Sequence, residues 1–158
     1  MSDLRIRVMT PSEFDVFRRR TISEYAAEHV RAGNWSPDQA ERLAEKETDD
    51  LLPNGVNTSG MLLLVGENAS AEVVGLVWVA LARSNGPGAW IYEIEIVPEQ
   101  RGRGHGRALL EAAEREVKSR GVHSLGLNVF GGNVIARGLY ESSGYEATSI
   151  QMRKNLSP

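Results

Sequence analysis

Apolar residues first alternate with charged ones, then spread over helical faces, and only later run together as they do in buried strands. Leu4, Ile6 and Val8 alternate with charged neighbours and predict a short strand. Thr10-Pro11-Ser12 interrupts it, with Pro11 suited to a first helical position and Thr10 or Ser12 to its cap. A helix with mixed apolar and charged positions then extends to about His29 and ends at Gly33-Asn34. Ser36-Pro37-Asp38 opens a second helix, reaching about Asp50, whose shortage of large apolar residues predicts an exposed element. Residues 52–60 read as a turn-rich loop.

From residue 61 onward the pattern is that of a sheet. Stretches 61–65, 73–81 and 90–96 are apolar-rich strand candidates, the first two forming a hairpin, separated by 67–72 and by the 83–88 connection. A third helix is predicted over 104–120, with Leu109, Leu110, Ala112, Ala113 and Val117 inward, stopped by Gly121. A strand over 124–130, a short helix over 133–142 and a closing strand over 144–153 complete an α/β fold with a mixed central sheet. No internal repeat and no interdomain linker is visible, so residues 1–158 are expected to form a single domain.

Composition narrows the chemistry. The 158 residues are 41% hydrophobic, enough for a core without crosslinks, and the absence of cysteine excludes disulfides, thiolate catalysis and cysteine-ligated metals. A net charge of -3 argues against a protein that coats nucleic acid or an anionic membrane. Residues 1–60 carry 11 acidic and 8 basic side chains, whereas 61–158 carry 10 of each, a surplus that leans toward a cationic partner at the first part. His29, His105 and His123 lack metal-ligand spacing, so no metal is expected. Neither a signal peptide nor a membrane-length apolar run is seen, which predicts a cytoplasmic protein.

The sharpest local signal is Arg101-Gly102-Arg103-Gly104-His105-Gly106-Arg107, between a predicted strand and the long third helix. Alternate glycines allow a tight turn and close approach, and backbone amides at a helix start point toward an anion. The expected ligand part is a phosphate or pyrophosphate. The loop lacks the Gly-Lys-Ser/Thr ending of a nucleotide-triphosphate P-loop, and it lies too late in the chain for a dinucleotide fingerprint. Without interleaved aromatics, the basic run is a poor nucleic-acid surface.

This loop, together with Asn133, Leu139-Tyr140 and Gly144-Tyr145, resembles the signature of the GCN5-related N-acetyltransferase (GNAT) superfamily. The resemblance covers roughly residues 61–153, the cofactor-binding core, and leaves 1–60 as the acceptor-side region. It implies a splayed mixed sheet flanked by helices, acetyl-CoA as cosubstrate and a small-molecule or peptide primary amine as acceptor, with homodimerisation open. It implies further that Ile96 and Val97 pair through their backbones with the acyl and pantetheine groups, and that Tyr140 protonates the departing thiolate. A phenol of ordinary pKa about 10 can do so without ionising at neutral pH.

Glu93 and Glu95 lie two apart on a strand and so share a face; either could take the amine proton. Asn133 would hold a pantetheine amide or cap the short helix, and Arg137 a CoA phosphate or solvent. Tyr25 and Trp35 flank the junction of the first two helices and are candidates to line the acceptor pocket. The rival to an acetyltransferase is a noncatalytic acyl-CoA-binding or sensory module.

Overall fold

Thr10 caps the first helix through a reciprocal pair of hydrogen bonds. Its hydroxyl accepts from the Glu13 N–H at 3.1 Å, the Glu13 carboxylate accepts from the Thr10 N–H at 2.9 Å, and Pro11 takes the first helical position. The structure is a computed structural model and describes residues 4–83 and 86–158. Its elements run β1 (Arg5–Val8), α1 (Pro11–Arg31), α2 (Pro37–Leu51), β2 (Met61–Glu67), β3 (Val73–Ala80), β4 (Ala89–Ile96), α3 (His105–Ser119), β5 (Leu125–Leu127) and α4 (Val134–Ser142). Contacts divide the chain into two units, Met1–Leu127 and Asn128–Pro158.

The first unit holds one sheet in the order β1-β2-β3-β4-β5, antiparallel except for the parallel β4–β5 pair. The predicted β2–β3 hairpin is present, and α3 makes the crossover that a parallel pair requires. On one face, Phe14 and Phe17 of α1 pack with Leu63, Val65 and Trp78. On the other, Leu109 of α3 lies against Gly66 and Gly75, and Leu109, Leu110 and Ala113 are fully buried. At roughly 1.5–3 kcal/mol for each large apolar side chain buried, these contacts dominate the cohesion of the sheet. Gly121, at φ +80°, ends α3 as predicted.

Two features shape β4. The register slips between Trp78↔Glu93 and Val79↔Ile91, leaving Tyr92 as the extra residue of a bulge. Pairing with β5 covers only Ala89↔Leu125, Trp90↔Gly126 and Ile91↔Leu127, so beyond Ile91 the strand is laddered to β3 alone.

The second unit differs from expectation. Residues 144–153 form no strand, and the strand expected over 124–130 is confined to Leu125–Leu127. A strand needs a ladder, and within its own unit this segment has none; Ile150 and Met152 stand in solvent. In the predicted 83–88 connection, Ser84 and Asn85 lie outside the described residues.

Candidate active site

The two strand glutamates meet as expected, and α1 adds a partner that the sequence did not single out. Arg20 reaches across from α1 and places one guanidinium nitrogen 2.8 Å from Glu95 and 3.4 Å from Glu93, with Glu24 3.8 Å from its Nε. Thr21, the next residue, donates its hydroxyl to Glu93 at 3.1 Å. These contacts put both carboxylates on the face that α1 covers, while Ile96 packs toward Gly75 and α3. Glu93 has a side chain only 19% exposed, and this desolvation pushes its carboxyl up to about 7, against the opposing pull of Arg20 and Thr21. A carboxylate with that proton affinity suits a general base at neutral pH.

Arg101 ties the glutamates to the glycine loop. Its Nε donates to the Ile96 carbonyl at 3.0 Å, and its Nη2 lies 3.6 Å from Glu95. Gly102 and Gly104 have φ of +76° and +81°, and nothing lies within 4 Å of where a Cβ would stand on either. Backbone conformation, not crowding, therefore demands glycine there. Gly104 is the N-cap of α3 and provides no side-chain cap, so the leading N–H groups of His105 and Gly106 belong to a helix start open to an anion. Arg103, also exposed, donates to Gln100 at 3.4 Å, and Arg107 lies in the first turn. The His105 ring is buried, with Nδ1 unpartnered.

The two aromatic candidates belong to the α1–α2 seam. Tyr25 and Trp35 meet edge-on at 5.5 Å and pack on the seam of Ile22, Ala26, Ala40 and Ala44 between α1 and α2, and His29 stacks on Trp35 at 3.9 Å. The Tyr25 hydroxyl donates to Glu47 at 2.6 Å, and burial with this bond pushes the phenol up to about 12. In the second unit, Asn133 caps α4 by accepting from the Ala136 N–H at 3.2 Å. Arg137 donates to the Gly131 carbonyl and pairs with Glu141, both at 3.3 Å. Tyr140 is half-buried, lies edge-on to Tyr145 at 5.9 Å, and has its phenol raised by burial. Among the described residues no group of three or more His, Asp or Glu could hold a metal, and no helix is long and apolar enough to cross a membrane.

A family model described as "Acetyltransferase (GNAT) family" matches residues 22–145. The chain belongs to the GNAT acetyltransferases. It is 33% identical to the uncharacterized N-acetyltransferase YycN of Bacillus subtilis, over 94% of this chain and 98% of that one. The crystal structure of YycN superposes with a TM-score of 0.85 at 31% identity, covering 99% of this chain and 100% of that one. A second B. subtilis N-acetyltransferase, YdgE, is 30% identical over 94% of this chain and 95% of its own. The mycothiol acetyltransferase of Propionibacterium freudenreichii is 29% identical over 85% of this chain but only 43% of its own. The protein is thus a GNAT-fold N-acetyltransferase, and its chemistry is acyl transfer.

Arg20 and Thr21 are the residues of the glutamate cluster that the sequence did not single out. They follow two other arginines on α1, and nothing in a run of arginines marks the one that turns toward the sheet.

Proposed function

We propose that this N-acetyltransferase moves an acetyl group from acetyl-CoA to a primary amine by direct attack. Acetyl-CoA supplies a thioester acyl group already activated for transfer. The open α3 start, with Gly102 and Gly104 free of side chains, fits the pyrophosphate of that cosubstrate, while Arg101 and Arg103 bring positive charge to the same turn. Glu93, raised by burial and held in place beside Arg20 and Thr21, accepts the proton of the incoming ammonium directly or through water, leaving a neutral nucleophile. The amine nitrogen bonds to the acyl carbon as the carbon–sulfur bond breaks, Tyr140 gives its proton to the departing thiolate, and the proton the nitrogen loses as the neutral amide forms restores the phenol through solvent. Ile96 and Val97 offer backbone groups to the acyl and pantetheine amides, and displacing the Arg101 Nε frees the Ile96 carbonyl for that use.

The observation that carries this reading is Glu93, a carboxyl pushed up to about 7 on the strand that leads into the glycine loop. The test is calorimetric titration with acetyl-CoA, with CoA and ATP as controls, followed by amine-dependent release of free thiol. Selective acetyl-CoA binding with thiol release is expected, and Tyr140→Phe is expected to lower kcat by about 10². Saturable binding without turnover over a broad amine panel would instead support the sensory-module reading.

A further inference from the structure

Beside the Arg20–Glu93–Glu95 cluster, between the first half of α1 and strands β2 and β3, lies a cleft of about 350 Å³. Its surface is almost wholly apolar. The buried Phe17 and Val65 line it together with Leu76 and Val97, and Val16 is its exposed lip. Two of its lining residues border the glutamates: Arg20 pairs with both Glu93 and Glu95, and Leu76 is the direct cross-strand partner of Glu95.

The acids of the first 60 residues do not supply a free anionic surface here. Glu13, which also lines the cleft, is held by Arg7 at 2.7 Å and by the Thr10 N–H. Glu45 and Asp49 are engaged by Arg18, Asp50 by Lys46 and Glu47 by Tyr25. Among the described acids of that stretch, only Glu13 lines the cleft, so the charge surplus that leans toward a cationic partner in the bare sequence lies outside it. A second cationic group on the acceptor would have to enter an apolar cleft whose one carboxylate is already paired, at a desolvation cost with no compensating partner.

From this geometry we infer that the acceptor is a primary amine bearing one compact apolar substituent, which fills the α1–β3 cleft and presents the amine to the glutamates at its rim. The inference rests on the transfer reading above and fixes its substrate class. The volume holds about a dozen water-sized groups, which suits an alkyl or aryl-alkyl group better than a sugar or polyamine, whose polar atoms would find no partners.

The experiment compares kcat/KM, with saturating acetyl-CoA, along the n-alkylamines from propylamine to hexylamine, and for butylamine against 1,4-diaminobutane and spermidine. A rise of about threefold to fourfold per added methylene is expected until the cleft is full. Butylamine should exceed the diamine of equal length by at least about tenfold. Val16→Trp, on the exposed lip, should lower hexylamine kcat/KM about tenfold or more while acetyl-CoA affinity, measured by calorimetry, stays put. A flat alkylamine series, or spermidine turned over as well as hexylamine, overturns the substrate class and leaves the transfer reading intact. Calorimetry of hexylamine with the free protein separates the two failures. Hexylamine binding that Val16→Trp weakens, with no acetylation of any amine, sustains the cleft and refutes transfer; neither binding nor acetylation of hexylamine refutes the cleft.

Discussion

Replacing Glu93 by glutamine should make the protein more stable and less active at the same pH, and the two effects share one cause. The Glu93 carboxyl is pushed from 4.5 up to about 7, chiefly by burial. The folded state therefore keeps this proton in a pH range where the unfolded chain has released it. Between these two values the folded state binds more protons, so stability falls as pH rises through the window and levels off above it. At about 1.4 kcal/mol per pH unit, the span from 4.5 to about 7 corresponds to about 3 kcal/mol of stability lost above neutrality. Glutamine keeps the shape and an acceptor for Thr21 but cannot ionise, so it escapes that loss.

Thermal melts of both proteins at pH 4.5, 6 and 8 measure it directly. The midpoints should lie close together at pH 4.5, with the variant several degrees higher at pH 8, since 1 kcal/mol moves Tm by roughly 2–4 °C in a chain of this size. At pH 7 the variant's kcat/KM should be lower by about 10² to 10⁴, and the acid limb of the profile, centred near 7 in the parent, should vanish. A difference in Tm that does not change with pH, or a variant less stable than the parent at pH 8, would falsify the account of Glu93 as a carboxylate kept protonated by burial.

Arg20→Gln removes a charge that pulls the Glu93 carboxyl down, so the acid limb of kcat/KM should move to higher pH; an unmoved limb assigns it to another group. Glu13 has the opposite sign, held down at about 2 chiefly by Arg7, and its contribution is complete above 4.5 and lost as pH falls toward 2. With Glu93 eroding stability above 4.5, Tm should peak near pH 5; a maximum near 8 would contradict the Glu93 assignment, and no fall in Tm toward pH 2 the Glu13 one. Gly75→Ala should cost about 1–3 kcal/mol, because the new Cβ would stand 2.4 Å from the Glu95 carbonyl oxygen; a denaturant melt with an unchanged midpoint would show that β3 and β4 can part freely.

Local signals were legible in the sequence wherever a residue acts through its own backbone. Thr10 and Pro11 announced the α1 start, Gly121 the end of α3, and Gly102 and Gly104 the left-handed turn before α3, because each requirement is met within a few residues of chain. Period-two spacing likewise placed Glu93 and Glu95 on one face, although the bulge at Tyr92 lies just before them and would have inverted the face had it fallen between them. What the sequence concealed depends on which distant element comes to lie opposite. Arg20 follows Arg18 and Arg19 without distinction, yet Arg18 turns to α2 and Arg20 to β4, a choice made by the way α1 docks. Tyr25 and Trp35 are aromatic for the sake of the α1–α2 seam as much as for any ligand, and spacing alone does not separate these uses.

The same docking joins stability to function. α1 is held at its start by Arg7, which bonds both Glu13 and Glu67 and so ties the helix cap to β1 and β2. Further along, the helix delivers Arg20 and Thr21 to Glu93. The first contacts are charge pairs that favour the fold at neutral pH, whereas the last surround a carboxyl that disfavours it there. An element anchored that firmly can keep a strained proton acceptor in place without swinging away to solvate it. Loosening the anchor should therefore act at a distance: Arg7→Met, whose partner Glu13 lies more than two helical turns from Thr21, should let water reach Glu93, lower its proton affinity and move the acid limb of kcat/KM to lower pH. A limb that stays in place while Tm falls would show that the anchor serves stability alone.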